Sequence, residues 1–190
     1  MAAVPPYRTA EARWFQPGPV PEAVRAWFDA LGDPAEPESR TDRYLAPTDD
    51  ALGVKVREGR AEMKRRDGEP GRLRVGRADA AVHLWAKWSF ELSEPAEPTG
   101  AWVEVAKTRW QREHEAAGAT CSLELAEVEA SGRRWWTVAL ESSGGSESDR
   151  RLALAEAGHQ WLGRDDAPAL PGTAAMGYPA WLRTLPTGDD

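Results

Sequence analysis

Hydrophobic and polar residues repeat with two different periods along this chain. Near the N-terminus, Val24, Trp27 and Phe28 recur at helical spacing. Pro21 precedes this run and Gly32 follows it, as is typical of the first turn and the end of a helix. The pattern therefore predicts one amphipathic helix that ends at Gly32.

From residue 42 to residue 141 the apolar positions alternate with polar ones, and this period of two is typical of strands. Together with a short run before the helix, the predicted strands are 9–15, 42–45, 53–57, 60–66, 83–92, 101–111, 121–130 and 133–141. Glu58-Gly59 and Ser131-Gly132 have the composition of tight hairpin turns. About seven or eight strands joined mostly by turns predict an antiparallel sheet or barrel.

The remaining segments are rich in glycine, proline or serine. They predict loops at residues 67–76, 93–100 and 142–148. Ser146 and Asp149 form a capping-box pattern, which predicts a second helix that runs to about Leu162 and ends at Gly163. We expect a single domain over residues 1–190, with its core at about 9–164 and a Pro/Gly-rich C-terminal extension at 165–190.

Composition limits the class of protein. The 190 residues are 41% hydrophobic and 29% charged, which fits one globular domain. No run of 18 apolar residues is present, and the N-terminus lacks the pattern of a signal peptide, so we expect a cytoplasmic protein without a membrane partner. The net charge of −7 argues against a nucleic-acid partner. The one cysteine, Cys121, excludes an intrachain disulfide.

Cationic residues stand two positions apart on several predicted strands. The pairs are Lys55 with Arg57, Lys64 with Arg66, and Lys107 with Arg109. A spacing of two places both members of a pair on one face of a strand. If these faces point into a closed barrel, the cations converge on one volume, where a phosphate chain would balance them. The carboxylates that would offset part of this charge are Glu11, Glu62, Glu124 and Glu141. If the faces point outwards from a sandwich, the same residues are ordinary solvated charges.

Several short motifs follow one another in a particular order. Residues 9–15 read Thr-Ala-Glu-Ala-Arg-Trp-Phe, and residues 42–45 read Asp-Arg-Tyr-Leu. The basic strands are Gly-Val-Lys-Val-Arg at 53–57, Glu-Met-Lys-Arg-Arg at 62–66 and Val-Ala-Lys-Thr-Arg at 105–109. Leu-Ala-Glu-Val at 125–128, the strand 136–141 and Tyr-Pro-Ala-Trp-Leu at 178–182 come later. This order, over about residues 9 to 185, resembles the CYTH, or triphosphate tunnel metalloenzyme, superfamily.

The resemblance implies an α+β fold: an antiparallel eight-stranded β-tunnel with helices packed outside. Members of the superfamily hydrolyse inorganic triphosphate, thiamine triphosphate or nucleoside triphosphates, or cyclise ATP. For this chain the resemblance implies a small-molecule polyphosphate or organic phosphate as ligand, bound by basic residues in the tunnel. The predicted ligand-binding residues are Arg13, Lys55, Arg57, Lys64, Arg66, Lys87, Lys107 and Arg109. The predicted catalytic carboxylates are Glu11, Glu62 and Glu141, of which Glu11 and Glu141 would hold Mg²⁺ or Mn²⁺.

The chain departs from the family pattern mainly at acidic positions. Thr9 replaces the first glutamate of the opening Glu-x-Glu-x-Lys motif, and Ala139 replaces the first glutamate of the closing Glu-x-Glu. Ala126 stands where an aspartate is expected, whereas Arg13 keeps the charge of the family's lysine. Each lost carboxylate removes a ligand for a hard cation, so we expect at most one metal ion, held together with a polyphosphate.

Two functions therefore stay open at this point. One is a metal-dependent phosphohydrolase that acts on a triphosphate or similar organic phosphate, and the other is a non-catalytic protein that binds such an anion. A lipocalin-like barrel for an apolar ligand is a third reading, and it would be favoured by a lumen lined with tryptophan.

Overall fold

Strands dominate the structure of this chain. The computed structural model describes residues 5–33, 36–92 and 101–186. Its strands are β1 (Tyr7–Pro17), β2 (Glu38–Leu45), β3 (Leu52–Arg57), β4 (Arg60–Val75), β5 (Ala78–Glu91), β6 (Trp102–Ala116), β7 (Ala119–Ala130) and β8 (Arg133–Ser143). Its helices are α1 (Glu22–Asp29), α2 (Glu147–Leu162) and α3 (Tyr178–Leu182), with a 3-10 turn at Gly172–Ala174. The predicted loop at residues 93–100 lies outside the described residues.

The strands close into an antiparallel barrel. Their order around it is β1-β5-β4-β3-β2-β6-β7-β8, and β1 pairs with β5 on one side and with β8 on the other. Closure gives every strand two neighbours, so the sheet has no edge strand. The predicted α+β fold with an antiparallel eight-stranded barrel is confirmed. None of the helices in the described ranges is long and apolar enough to span a membrane.

Tight turns hold three of the hairpins in register. In Glu58-Gly59 the two φ angles are 48° and 74°, and in Ser131-Gly132 they are 50° and 68°. Two consecutive residues with positive φ match the twist of the flanking strands, so both predicted turns are confirmed. Ala117-Gly118, with φ angles of 53° and 75°, makes a third such turn that the sequence pattern did not predict.

The predicted loop at residues 67–76 is wrong, because β4 continues to Val75. The pairing of β4 with β5 shifts between Arg66 and Gly68 and again between Gly68 and Gly71. These bulges interrupt the alternation of side chains, which hides the strand from a search for period two. Beyond them Leu73 and Val75 are buried and regular pairing resumes.

The main apolar core lies between the outer face of the barrel and the two longer helices. It contains Trp27 of α1, Leu154 of α2, and Leu123 and Leu140 of the barrel wall. The helix α2 begins at the predicted capping box, in which the Ser146 side chain accepts a hydrogen bond from the backbone N–H three residues later. Because this core is outside the barrel, the barrel interior is free for other side chains.

A second apolar cluster fills one end of the barrel interior, and the C-terminal segment supplies its centre. Trp181 of α3 is fully buried, and its ring stacks on Phe15 with centroids 4.6 Å apart. Tyr178 stacks on Tyr44 at 5.4 Å, and Trp135 meets Trp181 edge-on at 6.1 Å. The described part of the predicted extension therefore closes the barrel at this end, as an apolar plug.

Candidate functional site

The barrel interior beyond this plug contains a cavity of about 260 Å³. Its wall combines eight cationic side chains with four carboxylates, all within the described part of the chain. The cations are Arg13, Arg40, Lys55, Arg57, Lys64, Lys87, Lys107 and Arg109. The carboxylates are Glu11, Glu62, Glu124 and Glu141. This charged lining differs from the apolar lumen that a lipocalin-like barrel requires.

Strand register explains how residues distant in sequence share one cavity. Lys64 of β4 lies opposite Lys87 of β5, and Arg40 of β2 lies opposite Lys107 of β6. Residues opposite each other in an antiparallel pair point to the same face. The alternating cations of each strand therefore point inwards, not outwards as in the sandwich alternative.

All but one of the predicted site residues line the cavity. The exception is Arg66, which shares the inward face of β4 with Lys64 but lies beside His83, with Arg66 Nη1 and His83 Nε2 3.5 Å apart. Arg66 immediately precedes the first register shift of β4.

Arg13, Lys107 and Glu124 form the most buried group of the cavity. Arg13 Nη1 lies 2.8 Å from Glu124 Oε1, and Lys107 Nζ lies 2.8 Å from both Glu124 oxygens. Burial by itself would raise the pKa of Glu124, but Lys107 and Arg13 outweigh it and hold this pKa well below its ordinary value of 4.5. Burial lowers the pKa of Lys107 to about 8, although Glu124 opposes the change.

The ring of Tyr178 lines the end of the cavity that the plug closes, next to Arg13 and Lys107. Its centroid lies 5.0 Å from Arg13 Cζ and 5.6 Å from Lys107 Nζ, within the range of cation–π attraction. Burial raises the pKa of Tyr178, so its hydroxyl stays protonated. The plug thus supplies a wall of the charged cavity as well as closing the barrel.

Asp42 and Glu62 are surrounded by a second group of cations. Lys55 Nζ lies 3.2 Å from Asp42 Oδ2 and 3.1 Å from Glu62 Oε2. Arg57 is farther away, at 3.9 Å from Asp42 and 3.8 Å from Glu62. Arg40 Nε lies 3.5 Å from Asp42 Oδ2. The long contacts of Arg57 leave its guanidinium the most weakly held of these cations.

Glu11 and Glu141 are register partners on β1 and β8, and both line the cavity. Lys64 Nζ lies 2.6 Å from Glu11 Oε2 and 4.0 Å from Glu141 Oε1, while Arg13 Nε donates to Glu11 Oε1 at 3.2 Å. Burial would raise the pKa of Glu11, but Lys64 and Arg13 together lower it to about 2. Both oxygens of Glu11 are therefore occupied by cationic side chains.

This donor set does not fit a divalent ion as it is arranged. Mg²⁺ needs oxygen ligands at about 2.0–2.1 Å, and the Lys64 ammonium lies between the two predicted metal ligands, Glu11 and Glu141. Among the described residues, no three His, Cys, Asp or Glu side chains cluster in a way that could hold a metal ion. The metal site at Glu11 and Glu141 stays a prediction.

Four buried polar atoms around the cavity lack a hydrogen-bond partner within the described residues. They are Arg40 Nε, Asp42 Oδ1, Trp85 Nε1 and Tyr178 Oη. Buried polar groups are almost always satisfied by protein, water or ligand. Three of the four atoms can donate, but all four are buried, so an anion could reach them only after a rearrangement of the wall.

Sequence reasoning did not assign Arg40, Asp42 or Tyr178 to the ligand site. Arg40 and Asp42 stand two positions apart, and this spacing places them on one face of β2. That signal was present, but the predicted strand began only at residue 42. Tyr178 has no local signal, because its position depends on the docking of the C-terminal segment into the barrel.

Comparison with known proteins identifies neither a family nor a function for this chain. The chain matches no protein-family model, and a search of curated proteins finds no significant match. The resemblance to the CYTH superfamily therefore stays a prediction that rests on the order of short motifs.

Proposed function

We propose that the barrel binds the phosphate chain of a small-molecule polyphosphate or organic phosphate. One observation carries the proposal: eight cationic side chains and four carboxylates line a single cavity in a chain whose net charge is −7. Asp42 and Glu38 also contact cations of this wall, and the cavity still keeps an excess of positive charge in an acidic protein. Buried charge of one sign is unfavourable unless it is balanced, and a chain of phosphoryl groups balances it at several points at once.

The types of side chain also favour phosphate over a single carboxylate. Among the described residues, two cavity cations are free of short ion pairs: Lys87 forms none, and Arg57 approaches carboxylates only at 3.8–3.9 Å. Arg40 and Arg109 also contact Glu38, and Lys64 contacts Glu11 at 2.6 Å. Arginine offers paired donors to phosphoryl oxygens, and lysine adds a mobile point charge. At Arg57 and Lys87, binding would add charge-assisted hydrogen bonds to the ligand without breaking a short ion pair.

The size of the cavity favours a compact ligand. Its volume of about 260 Å³ is just below the range of about 300–1,000 Å³ that is usual for small-molecule pockets. A short polyphosphate chain fits such a volume, whereas the base of a nucleotide would have to lie outside the cationic part of the cavity.

Calorimetric titration with tripolyphosphate and with orthophosphate tests the proposal. We expect tripolyphosphate to bind more tightly, with an affinity that falls as salt concentration rises. Equal affinity for both ligands, or no binding of either at millimolar concentration, would contradict it.

A pair of matched variants locates the binding. The Arg57→Gln substitution removes a cavity cation with only long internal contacts, and it should weaken tripolyphosphate binding by about 1.5–3 kcal/mol if the guanidinium binds phosphate. Arg65→Gln removes the same charge from the neighbouring strand, but the Arg65 side chain is 61% exposed and does not line the cavity. It should leave the affinity nearly unchanged. Equal losses in both variants would place the binding outside the cavity.

Hydrolysis of the bound phosphate is a second candidate, favoured by the position of Glu11 and Glu141 as lumenal register partners. The catalytic roles of Glu11, Glu62 and Glu141 stay predictions. Phosphate release from tripolyphosphate and from nucleoside triphosphates, with and without added Mg²⁺ or Mn²⁺, tests them. Turnover that disappears in Glu141→Gln would support hydrolysis. Binding without turnover under all these conditions would leave only the binding function.

A further inference from the structure

Two carboxylates of the cavity wall face each other on adjacent strands, with the Glu11 side chain 3% exposed and the Glu141 side chain 37% exposed. Glu11 and Glu141 are directly opposite on β1 and β8. Side chains at such positions have Cβ atoms about 4.5–5.5 Å apart, and like charges there are destabilising. A cation close to both carboxylates relieves this repulsion.

Lys64 provides that cation. Its ammonium nitrogen lies 2.6 Å from Glu11 Oε2 and 4.0 Å from Glu141 Oε1, and the side chain reaches this point from β4, which β5 separates from β1. Its pKa is raised because Glu11 and Glu141 outweigh the effect of burial. The indole ring of Trp85, 4.9 Å from the ammonium, adds a cation–π contact that holds it in place.

The remaining cavity carboxylates offer no free alternative. Glu124 is bound by Arg13 and Lys107, and Glu62 is bound by Lys55, with Arg57 farther away. Each of these carboxylates, like Glu11, therefore already has a lysine or arginine side chain as its ion-pair partner. A divalent ion would have to displace such a cationic side chain before it could bind two of these carboxylates.

We infer that the Lys64 ammonium is a built-in counter-ion that takes the position of a divalent metal between Glu11 and Glu141. The carboxylate pair is a latent metal site, which Lys64 keeps closed. Removal of the ammonium frees Glu11 Oε2 and both oxygens of Glu141. Two carboxylates with several waters are sufficient for Mg²⁺ or Mn²⁺, so the loss of one lysine should create metal binding.

The test is titration of Mn²⁺ without any phosphate, with the free ion followed by its electron paramagnetic resonance signal. Lys64→Met, which keeps an unbranched side chain without charge, should bind one Mn²⁺ at least tenfold more tightly than the unchanged protein. Lys64→Met combined with Glu141→Gln should lose that gain. Lys64→Gln is a second charge-free variant, in case the methionine variant does not fold, and circular dichroism checks the fold of each.

Lys87→Met is the matched control. Lys87 is the register partner of Lys64 and lines the same cavity, but it forms no salt bridge with a carboxylate among the described residues. Its removal lowers the cavity charge by the same amount without freeing Glu11 or Glu141, so it should not create a Mn²⁺ site.

Two results would overturn the inference. Tight Mn²⁺ binding by the unchanged protein would show that Lys64 does not close the site, and equally weak binding by folded Lys64→Met and Lys64→Gln would show that no latent site exists. Because the titration contains no phosphate, its outcome is independent of the proposed polyphosphate binding. The two ideas can therefore fail separately.

Discussion

Lys107 Nζ contacts both carboxylate oxygens of Glu124 at 2.8 Å, deep inside the barrel. The two side chains are 5% and 7% exposed. The positions come from β6 and β7, where Lys107 pairs with Val128 and Glu124 pairs with Gln111, so the ion pair runs diagonally across the sheet. Such a buried pair is maintained because each charge compensates the other after both have lost their water.

Replacement of Glu124 should destabilise the protein and strengthen ligand binding. In Glu124→Gln, Lys107 and Arg13 stay buried without their common carboxylate, which should lower the free energy of unfolding by about 3–5 kcal/mol. The cavity also becomes more positive, so the affinity for tripolyphosphate should increase. Urea unfolding and calorimetry measure the two effects.

The control for that variant lies on the same strand. Glu127 is exposed on the opposite face of β7, so Glu127→Gln should change the free energy of unfolding by less than about 0.5 kcal/mol. A stable Glu124→Gln with unchanged affinity would mean that Glu124 neither compensates Lys107 nor limits the charge of the cavity.

Acid should remove the stability that Glu124 provides. Lys107 and Arg13 hold its pKa well below the ordinary value of 4.5 in the folded protein. The unfolded chain therefore binds more protons as the pH falls below about 4.5, and this contribution to the free energy of unfolding declines over that range. We expect a steeper loss of stability below this pH in the unchanged protein than in Glu124→Gln. Parallel profiles of the two proteins would refute this assignment.

Alkaline pH should weaken ligand binding through Lys107. Burial lowers its pKa to about 8 from 10.5, so the ammonium loses its proton as the pH rises through 8. Tripolyphosphate affinity should then fall between pH 7 and pH 9, and binding near pH 8 should take up protons, since an anion favours the charged form. Calorimetry in buffers of different ionisation enthalpy measures this uptake.

The lowered pKa of Lys107 also affects folding stability, which should rise with pH where ligand affinity falls. Because the pKa of Lys107 is lower in the folded state, the unfolded chain binds more protons between about pH 8 and 10.5. The contribution of Lys107 to the free energy of unfolding should therefore increase as pH rises through this window. Both effects should disappear in Lys107→Met and remain in Lys87→Met, which removes another lysine of the cavity wall. Retention of both effects in Lys107→Met would assign them to a different group.

Loss of Trp181 should open the plug. This side chain is fully buried and stacks on Phe15, so Trp181→Ala should lower the free energy of unfolding by about 3–5 kcal/mol. Because Tyr178 lies in the same short helix and lines the end of the cavity that the plug closes, tripolyphosphate affinity should fall as well. Phe90→Ala, at a side chain that is 53% exposed, is the matched control and should change neither quantity much. Unchanged affinity in a folded Trp181→Ala would show that the plug does not shape the ligand site.

Local patterns were sufficient for most of the strands and for the first two helices. The alternation of Lys55 and Arg57 around Val56, and the positive-φ turn at Glu58-Gly59, depend on residues next to each other in sequence. A period of two and a turn composition carry that information directly. The same alternation predicted which cations share a strand face, and therefore most of the cavity wall.

The sequence by itself did not determine which way those faces point or where each charge finds its partner. The inward direction follows only when β1 pairs with both β5 and β8, because closure places the main apolar core outside the barrel and the charges within. The position of Lys64 between Glu11 and Glu141 depends on side chains that are more than fifty positions apart in the chain. Register and closure bring them together, and neither leaves a local signal, since both arise from the pairing of whole strands.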